Sequence, residues 1–293
     1  MQNKTVILIP YRDRLNHLDY FLNNCVSSFL DVYGENIEIA ILEQVDDLPF
    51  NRGLLLNIGA IIYKESAIPN LTLPSDLYLI TQDVDLIPTK ECIEKFYFPE
   101  LEHGSVRGIY TSSANTLGGV VKISASNFLL VNGFPNQYWG HGNEDKSFQN
   151  RVEDKDLHIS KNIKNDKKTK YFEVLPHPPS AKTVKYQIEE SPDFKCLNFH
   201  GNLMEYEIYK FLNEEGKRAW EWKMGSLRTI GDVKFSKNEN AYRQRPSAQV
   251  SFYNIDLQLC ESNYFLGGRG QIIPSLNDFN LGPLDADFSL LPR

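Results

Sequence analysis

The feature that most constrains the fold is an alternation of apolar strand segments and amphipathic helices at the start of the chain. Three short runs, rich in β-branched residues, have the pattern of buried strands and span residues 5–9, 37–43 and 76–81. Between the first two, apolar residues from Leu15 to Phe29 recur at helical spacing, and a second helix is predicted over residues 51–64. This order is typical of an open, mostly parallel α/β sheet, in which ligands gather at the carboxyl ends of the strands.

Composition and charge limit the class of partner. The chain has 293 residues, 41% of them hydrophobic and 24% charged, so it can bury the core of a globular protein. A net charge of −7 argues against a nucleic-acid-binding protein, because such proteins select basic surfaces. No apolar run approaches the ~20 residues of a transmembrane segment, and no signal peptide is evident. We expect a cytoplasmic protein if Met1 is the native start, and a trimmed membrane-anchored enzyme otherwise.

The rest of the chain is less regular. Residues 161–170 are basic and nearly devoid of apolar side chains, which predicts a solvated loop or insertion. A helix is predicted over residues 203–224 and a late strand over residues 250–259. The cysteines form no CxxC pair, so buried reduced thiols are favoured over a zinc site or a disulfide framework. They are Cys25, Cys92, Cys196 and Cys260.

An acidic triplet, Asp83-Val84-Asp85, directly follows the third predicted strand. Two carboxylates at this position need partners if they are buried, and a hard divalent cation such as Mn²⁺ would satisfy them. Such a cation also neutralises the charge that develops on a departing nucleoside diphosphate. The same pattern occurs in ordinary turns, so the triplet alone leaves both interpretations open.

A second cluster, residues 133–145, alternates glycines with large aromatic rings and ends in Glu144-Asp145. A loop of this kind can present aromatic faces to a sugar and place a carboxylate at the start of a helix. There the carboxylate can act as general base on an acceptor hydroxyl. An acidic helix N-terminus favoured by the macrodipole alone explains the two acids equally well.

Taken together, five segments resemble the β-1,4-galactosyltransferase family, in the order and at spacings compatible with it. They are Ile9-Pro10-Tyr11-Arg12-Asp13-Arg14, Phe50-Asn51-Arg52-Gly53, Asp83-Val84-Asp85-Leu86-Ile87-Pro88, Gly118-Gly119-Val120, and Asn132-Gly133-Phe134-Pro135-Asn136 through Trp139-Gly140 to Glu144-Asp145. The resemblance covers residues 5–155 strongly and residues 195–258 weakly. It implies a GT-A (Rossmann-like) α/β fold, dependence on Mn²⁺ or another divalent cation, a UDP-sugar donor and inversion to a β-linkage.

The resemblance also implies the domain organisation and the roles of individual residues. One GT-A domain is expected over residues 1–258, with a nucleotide-sugar-binding half (1–115), an acceptor and catalytic half (116–258) and a tail of unassigned role (259–293). By motif position the donor site comprises Pro10, Arg12, Arg14, Phe50, Arg52, Asp83, Thr116, Gly119 and Trp139. Asp85 is the direct metal ligand with Asp83 close by, Asp145 is the general base, and Glu144 holds donor or acceptor hydroxyls.

A third metal ligand is expected from a downstream histidine. His200 lies where the family carries its histidine, whereas Leu197, three places earlier, cannot coordinate a metal as the family residue often does. His177 is the alternative ligand, and a further water molecule is another. For any single histidine, a hydrogen-bonded structural role also accounts for its presence.

Three departures from the family pattern bear on specificity. Thr116 replaces a tyrosine of galactose-transferring members, and a smaller side chain there makes room for an N-acetyl group, so UDP-GalNAc is favoured over UDP-Gal. His141 replaces a loop tryptophan, and Lys146 replaces an acid beside the catalytic pair; both are assigned with Glu144 and Asp145 to the acceptor site. The cation at Lys146 suggests an acidic carbohydrate acceptor, although a solvent-facing helix lysine explains it equally well.

Two other functional classes compete with a transferase. A catalytically silent sugar- or nucleotide-sugar-binding protein could keep the same fold, but the joint presence of Asp83, Asp85, Glu144 and Asp145 argues against it. A nucleotidyltransferase should have a glycine- and lysine-rich phosphate loop near its N-terminus, and the sequence has none.

Overall fold

One eight-stranded sheet forms the centre of the protein. The computed structural model describes residues 3–48, 50–67, 77–136, 138, 140, 142–164, 169–176, 235–238, 247 and 249–257. The strands of this part are β1 (Lys4–Tyr11), β2 (Ile37–Gln44), β3 (Leu77–Gln82), β4 (Leu86–Pro88), β5 (Ser105–Thr111), β6 (Val120–Ser124), β7 (His158–Lys164), β8 (Phe172–Val174), β9 (Phe235–Lys237) and β10 (Val250–Ile255). The α-helices are α1 (Leu15–Tyr33), α2 (Arg52–Ala67), α3 (Lys90–Cys92), α4 (Ala125–Leu130) and α5 (Glu144–Glu153), and a π-helical turn spans Ile93–Tyr97.

The sheet is mostly parallel at its centre. Its strand order is β7-β5-β6-β3-β1-β2-β10-β9, and β3, β1, β2 and β10 run parallel to one another. Strand β6 is antiparallel to both β3 and β5, whereas β7 is parallel to β5. Strands β4 and β8 form a separate antiparallel pair. The predicted α/β architecture is confirmed.

Both faces of the sheet are buried, which explains the uninterrupted apolar runs of the central strands. In β1, Val6 and Leu8 pack into the core under α2, while Ile7 and Ile9 point to the opposite face and pack with Phe21 of α1. Because successive residues of a strand alternate between faces, a strand covered on both sides cannot alternate with polar residues. These strands are therefore predictable from sequence, and all three N-terminal strand predictions are confirmed to within a few residues.

One prediction for the later part of the chain is wrong and others lie outside the described residues. Residues 161–164 belong to edge strand β7 and are not a solvated loop, since they pair in register with β5. The predicted late strand is present as β10 and ends at Ile255. The helix predicted over residues 203–224 and the tail 259–293 fall outside the described residues. The boundary between residues 115 and 116 falls between β5 and β6, neighbours in the same sheet, and stays a prediction.

The two described cysteines agree with the prediction of inert thiols. Cys25 of α1 and Cys92 of α3 are free and buried, and burial raises the pKa of both thiols above its ordinary value. Cys196 and Cys260 lie outside the described residues. None of the helices in the described ranges has the length and hydropathy needed to cross a membrane.

Candidate active site

The acidic triplet forms a fixed turn between β3 and β4. The backbone N–H of Asp83 donates to the carbonyl of Gly119 at 3.1 Å, and the N–H of Leu86 donates to the carbonyl of Asp83 at 3.2 Å. The buried Gln82 side chain donates to the carbonyls of Asp83 (2.9 Å) and Leu86 (2.8 Å), and accepts from the hydroxyl of Tyr97. The two carboxylates thus project from a backbone that is held on both sides.

The guanidinium of Arg52 links this turn to the second predicted cluster. Its Nε donates to Asp83 Oδ1 at 2.8 Å, and its Nη1 lies 3.9 Å from Glu144 Oε1. The side chain is 12% exposed, and Nη1 and Nη2 are buried without a hydrogen-bond acceptor among the described residues. Burial acts to lower the pKa of Arg52, but the charges of Asp83 and Glu144 outweigh it, and the pKa is raised. Unused buried donors of this kind suit an anionic ligand.

Four other residues of the predicted donor site, namely Pro10, Arg12, Arg14 and Phe50, lie near the carboxyl ends of β1 and β2. Pro10 is the penultimate residue of β1. Arg14 directly precedes α1, and its Nη1 is 3.6 Å from Asp85 Oδ2. Arg12 donates to the carbonyl of Leu48 and stands 5.6 Å from the centroid of the Phe50 ring. Burial lowers the pKa of Arg12. The carboxyl ends of β1 and β3 therefore bring Arg14 and Asp85 of the predicted site together.

The catalytic pair of the prediction opens α5. Asn143, with a left-handed φ of 71°, precedes Glu144, so the chain turns sharply before the helix begins. The N–H of Lys146 donates to Asp145 Oδ1 at 2.8 Å, which orients that carboxylate. Burial, and next the charge of Asp145, raise the pKa of Glu144 to about 7. Burial likewise raises the pKa of Asp145. Carboxylates with raised pKa values are suited to proton transfer near neutral pH.

Gly118 packs directly against the Asp145 carboxylate. A Cβ built on Gly118 would lie 2.7 Å from Asp145 Oδ2 and 3.0 Å from Asp145 Cβ, closer than such atoms normally come. The N–H of Leu117 also donates to the Asp145 carbonyl at 3.2 Å, and Ser112 Oγ lies 3.4 Å from Oδ2. The segment between β5 and β6 thus forms one wall of the pocket around Asp145.

This packing predicts a large effect of adding one methyl group. We expect Gly118→Ala to lower kcat on the order of a hundredfold, because displacing a reacting group by about 1 Å can cost that much. Affinity for UDP should stay within about threefold, since the residues predicted to bind the nucleotide lie on other elements. The measurement is steady-state kinetics together with UDP titration calorimetry.

The matched control for this substitution is Gly104→Ala. Gly104 also lies in a loop, at φ +69°, and a Cβ there meets nothing within 4 Å. It should cost about 1 kcal/mol of unfolding free energy through backbone strain and leave kcat unchanged. Equal kcat values for the two variants would show that Gly118 does not shape the pocket.

Several predicted site residues can be placed and others cannot. Thr116 is buried, and its Oγ1 shares a hydrogen bond of 2.9 Å with Ser112 Oγ and accepts from the Ser113 N–H at 3.1 Å. Gly119 has φ +74°, and a Cβ there would lie 2.8 Å from the Tyr110 carbonyl, so only glycine suits this position. Residues of the prediction that lie outside the described part of the chain are Trp139, His141, His177 and His200.

A buried network of asparagines, for which no role is predicted from the sequence, supports the site. Asn57 of α2 donates to the carbonyl of Phe134 at 2.7 Å and to Asn136 Oδ1 at 2.8 Å, and accepts from the Phe134 N–H. Asn51 donates to the Asn136 carbonyl at 2.7 Å and caps α2 through the Leu54 N–H. These bonds fix the loop before α5 to the helix that carries Arg52. The signal for this network in the sequence is the presence of polar residues within an apolar helical run, because such residues need hydrogen-bond partners once they are buried.

Comparison with known protein families shows which family the chain belongs to. Residues 1–96 match a model described as the N-terminal region of glycosyl transferase group 7, and residues 104–178 match one described as the N-terminal domain of galactosyltransferase. Together the two models cover more than half of the chain, and every described site residue lies within them. The chain belongs to the β-1,4-galactosyltransferase family.

Relatives within this family have the same residue as this chain at about a third of the aligned positions. The chain is 29% identical over 226 residues to mouse β-1,4-galactosyltransferase 1, which covers 71% of this chain and 53% of the relative. It is 31% identical over 166 residues to xylosylprotein 4-β-galactosyltransferase of Caenorhabditis elegans, covering 54% of this chain and 53% of the relative. The chain therefore spans about half the length of these family members.

Solved structures of the family confirm the GT-A fold. A Drosophila β-1,4-galactosyltransferase 7 variant, crystallised with manganese, UDP-Gal and xylobiose, superposes with a TM-score of 0.57 at 24% identity. The superposition covers 87% of this chain and 94% of that one. A second structure of the catalytic domain of that enzyme, with xylobiose, gives a TM-score of 0.54.

Proposed function

We propose that this family member is an inverting, Mn²⁺-dependent glycosyltransferase that moves a hexose from a UDP-sugar to a hydroxyl of a carbohydrate acceptor. The observation that carries the proposal is the position of Arg52, which contacts Asp83 of the acidic turn and faces Glu144 beside Asp145. One buried cation thereby joins the residues suited to a diphosphate with those suited to proton transfer. The names of the relatives as galactosyltransferases support the same activity.

Asp145 is the proposed general base. Its Oδ1 accepts from the Lys146 N–H, while Oδ2 faces Gly118 and Ser112. In an inverting transfer the acceptor hydroxyl attacks the anomeric carbon from the side opposite UDP, the bond from that carbon to the UDP oxygen breaks, and the base takes the hydroxyl proton as the new bond forms. Glu144, whose pKa is raised to about 7, is the proposed hydrogen-bonding partner of sugar hydroxyls.

The residues of the acidic turn suit a divalent cation. Asp85 and Asp83 supply the carboxylate oxygens that Mn²⁺ prefers, and a bound Mn²⁺ supplies charge neutralisation for the departing diphosphate. Asp83 is held by Arg52, whereas Asp85 meets Arg14 at 3.6 Å, so Asp85 is the proposed direct ligand and Asp83 its support. Within the described ranges, no three ligating side chains form a metal-holding group. His200 is the proposed third ligand, with His177 as the alternative.

We propose binding residues for the nucleotide and for the sugar of the donor, and a class of acceptor. For the nucleotide we propose Pro10, Arg12, Arg14, Phe50 and Arg52, and for the sugar Thr116, Gly119 and Trp139. The relatives support galactose as the sugar, and the preference for GalNAc that Thr116 suggests stays a prediction. Since the Drosophila structure holds xylobiose, a carbohydrate acceptor is proposed here as well, bound near Glu144, Asp145, Lys146 and His141.

A donor panel tests this function. UDP release is measured from UDP-Gal, UDP-GalNAc and UDP-GlcNAc, each with neutral and uronic-acid-containing disaccharide acceptors, with Mn²⁺ and with EDTA. We expect Mn²⁺-dependent release with UDP-Gal, a higher rate with UDP-GalNAc if Thr116 enlarges the pocket, and little with UDP-GlcNAc. Tight UDP binding without release from any donor would instead identify a catalytically silent binding protein.

A further inference from the structure

Lys161 lies on the edge strand β7, beside the segment that walls the Asp145 pocket. In the register of the sheet it stands opposite Gly108 of β5, and a Cβ on Gly108 would lie 3.4 Å from Lys161 Cγ. Gly108 has no side chain, so the lysine stem meets no Cβ at this position of β5. Its ammonium group contacts residues 114 and 116, in the segment between β5 and β6.

The ammonium group of Lys161 uses all three of its donors on different acceptors. It donates to the carbonyl of Ala114, to the carbonyl of Thr116 at 2.8 Å and to Gln149 Oε1 at 2.6 Å. An ammonium has three N–H donors, and these three acceptors match that number. The first two acceptors belong to the segment between β5 and β6, and the third belongs to α5. One charged side chain thus joins the segment to the helix that carries Asp145.

We propose that Lys161 is a positioning residue, which holds residues 112–117 against α5 and thereby sets the orientation of the Asp145 carboxylate. Residues 112–118 meet Asp145 at Ser112 Oγ, which lies 3.4 Å from Oδ2, and at the Leu117 N–H, which donates to the Asp145 carbonyl, while a Cβ built on Gly118 would lie 2.7 Å from Oδ2. Charge-assisted hydrogen bonds are about twice as strong as neutral ones, so the Lys161 ammonium group holds the segment between β5 and β6 to α5 more firmly than a neutral donor would. The catalytic part of the inference rests on the proposed function.

The test compares Lys161→Met with two further variants. Methionine keeps most of the length of the stem and removes the three donors. Lys164→Met, on the same strand but with an exposed side chain, is the matched control. Gln149→Met removes the α5 contact of Lys161, together with the bond of 2.7 Å from Gln149 to Glu153 within α5, and leaves the two carbonyl contacts of Lys161 in place, so it serves as the milder version. Hydrogen–deuterium exchange of residues 111–119 and 143–149, UDP affinity by calorimetry, and kcat are measured for each.

For Lys161→Met we expect exchange in residues 111–119 to quicken at least tenfold and kcat to fall about tenfold or more, with UDP affinity within twofold of the native protein. Gln149→Met should move both quantities in the same direction by less, and Lys164→Met should move neither. Unchanged exchange in Lys161→Met, or equal effects of Lys161→Met and Lys164→Met, would overturn the assignment. A native chain that transfers no sugar would refute the proposed function instead, while the exchange data would still decide whether Lys161 holds the wall.

Discussion

Asp145→Asn is expected to lower kcat about a thousandfold while leaving UDP affinity within about twofold. A positioned general base contributes roughly 10²- to 10⁴-fold, and an amide cannot accept the proton of the acceptor hydroxyl. The substitution is nearly isosteric, and an amide oxygen can still accept the Lys146 N–H that now bonds to Oδ1 at 2.8 Å. The folded pocket should therefore survive. The measurements are steady-state kinetics and UDP calorimetry.

The control for this variant is Asp156→Asn. Asp156 lies in the exposed turn after α5 with φ 54°, a conformation that asparagine adopts readily, so kcat should not change. The pH profile gives a second readout. Since burial raises the pKa of Asp145, the native activity should fall with decreasing pH at values above those of an ordinary carboxylate. A loss of UDP affinity equal to the loss of kcat would show that Asp145 supports binding and is not the base.

The second large effect is expected for Asp85→Ala. A metal that neutralises the leaving group is worth several kcal/mol, and about 4 kcal/mol corresponds to a thousandfold in rate. We expect a loss of kcat of about that size and a parallel loss of Mn²⁺ affinity, measured by electron paramagnetic resonance titration in the presence of UDP. Asp85 is buried and pairs with Arg14 at 3.6 Å, so the melting temperature of the variant is measured alongside to separate loss of the metal from loss of the fold.

Two further variants show whether the effect is specific to Asp85. Asp31→Ala removes a carboxylate of an exposed ion pair with Lys90 and should change neither Mn²⁺ affinity nor kcat. Asp83→Ala should in addition lower the melting temperature, because it leaves Arg52 buried without the carboxylate that now bonds its Nε. Full Mn²⁺ affinity in Asp85→Ala would remove this residue from the metal site.

The parts of the fold that are easiest to predict from the sequence are the strands that are buried on both faces of the sheet. Strands β1, β2 and β3 are covered on both faces, so their apolar runs are unmistakable, and the acidic turn follows directly from the end of β3. Strand β7 lies at the edge of the sheet, where lysines are common because they discourage pairing with other chains. Its basic composition therefore predicted a loop, and the prediction is wrong for residues 161–164.

The contacts that assemble the site could not be predicted in the same way. The bond between Arg52 and Asp83 joins residues 31 positions apart, and the approach of Arg52 to Glu144 depends on where the first residues of α5 lie relative to those of α2. Neither distance follows from periodicity or local propensity. The family motifs identified Arg52, Asp83 and Glu144 as site residues individually. Their meeting around one buried cation, and the tie from Lys161, follow only from the packed structure.

One site built around Arg52 is proposed both to bind the nucleotide sugar and to activate the acceptor. It is tested by Mn²⁺-dependent UDP release from UDP-Gal with a carbohydrate acceptor, compared between the native chain and Asp145→Asn at equal UDP-Gal occupancy. We expect acceptor-dependent release and a β-linked product from the native chain, and almost no release from the variant. Equal release from both proteins, or an α-linked product, would refute this assignment of the site.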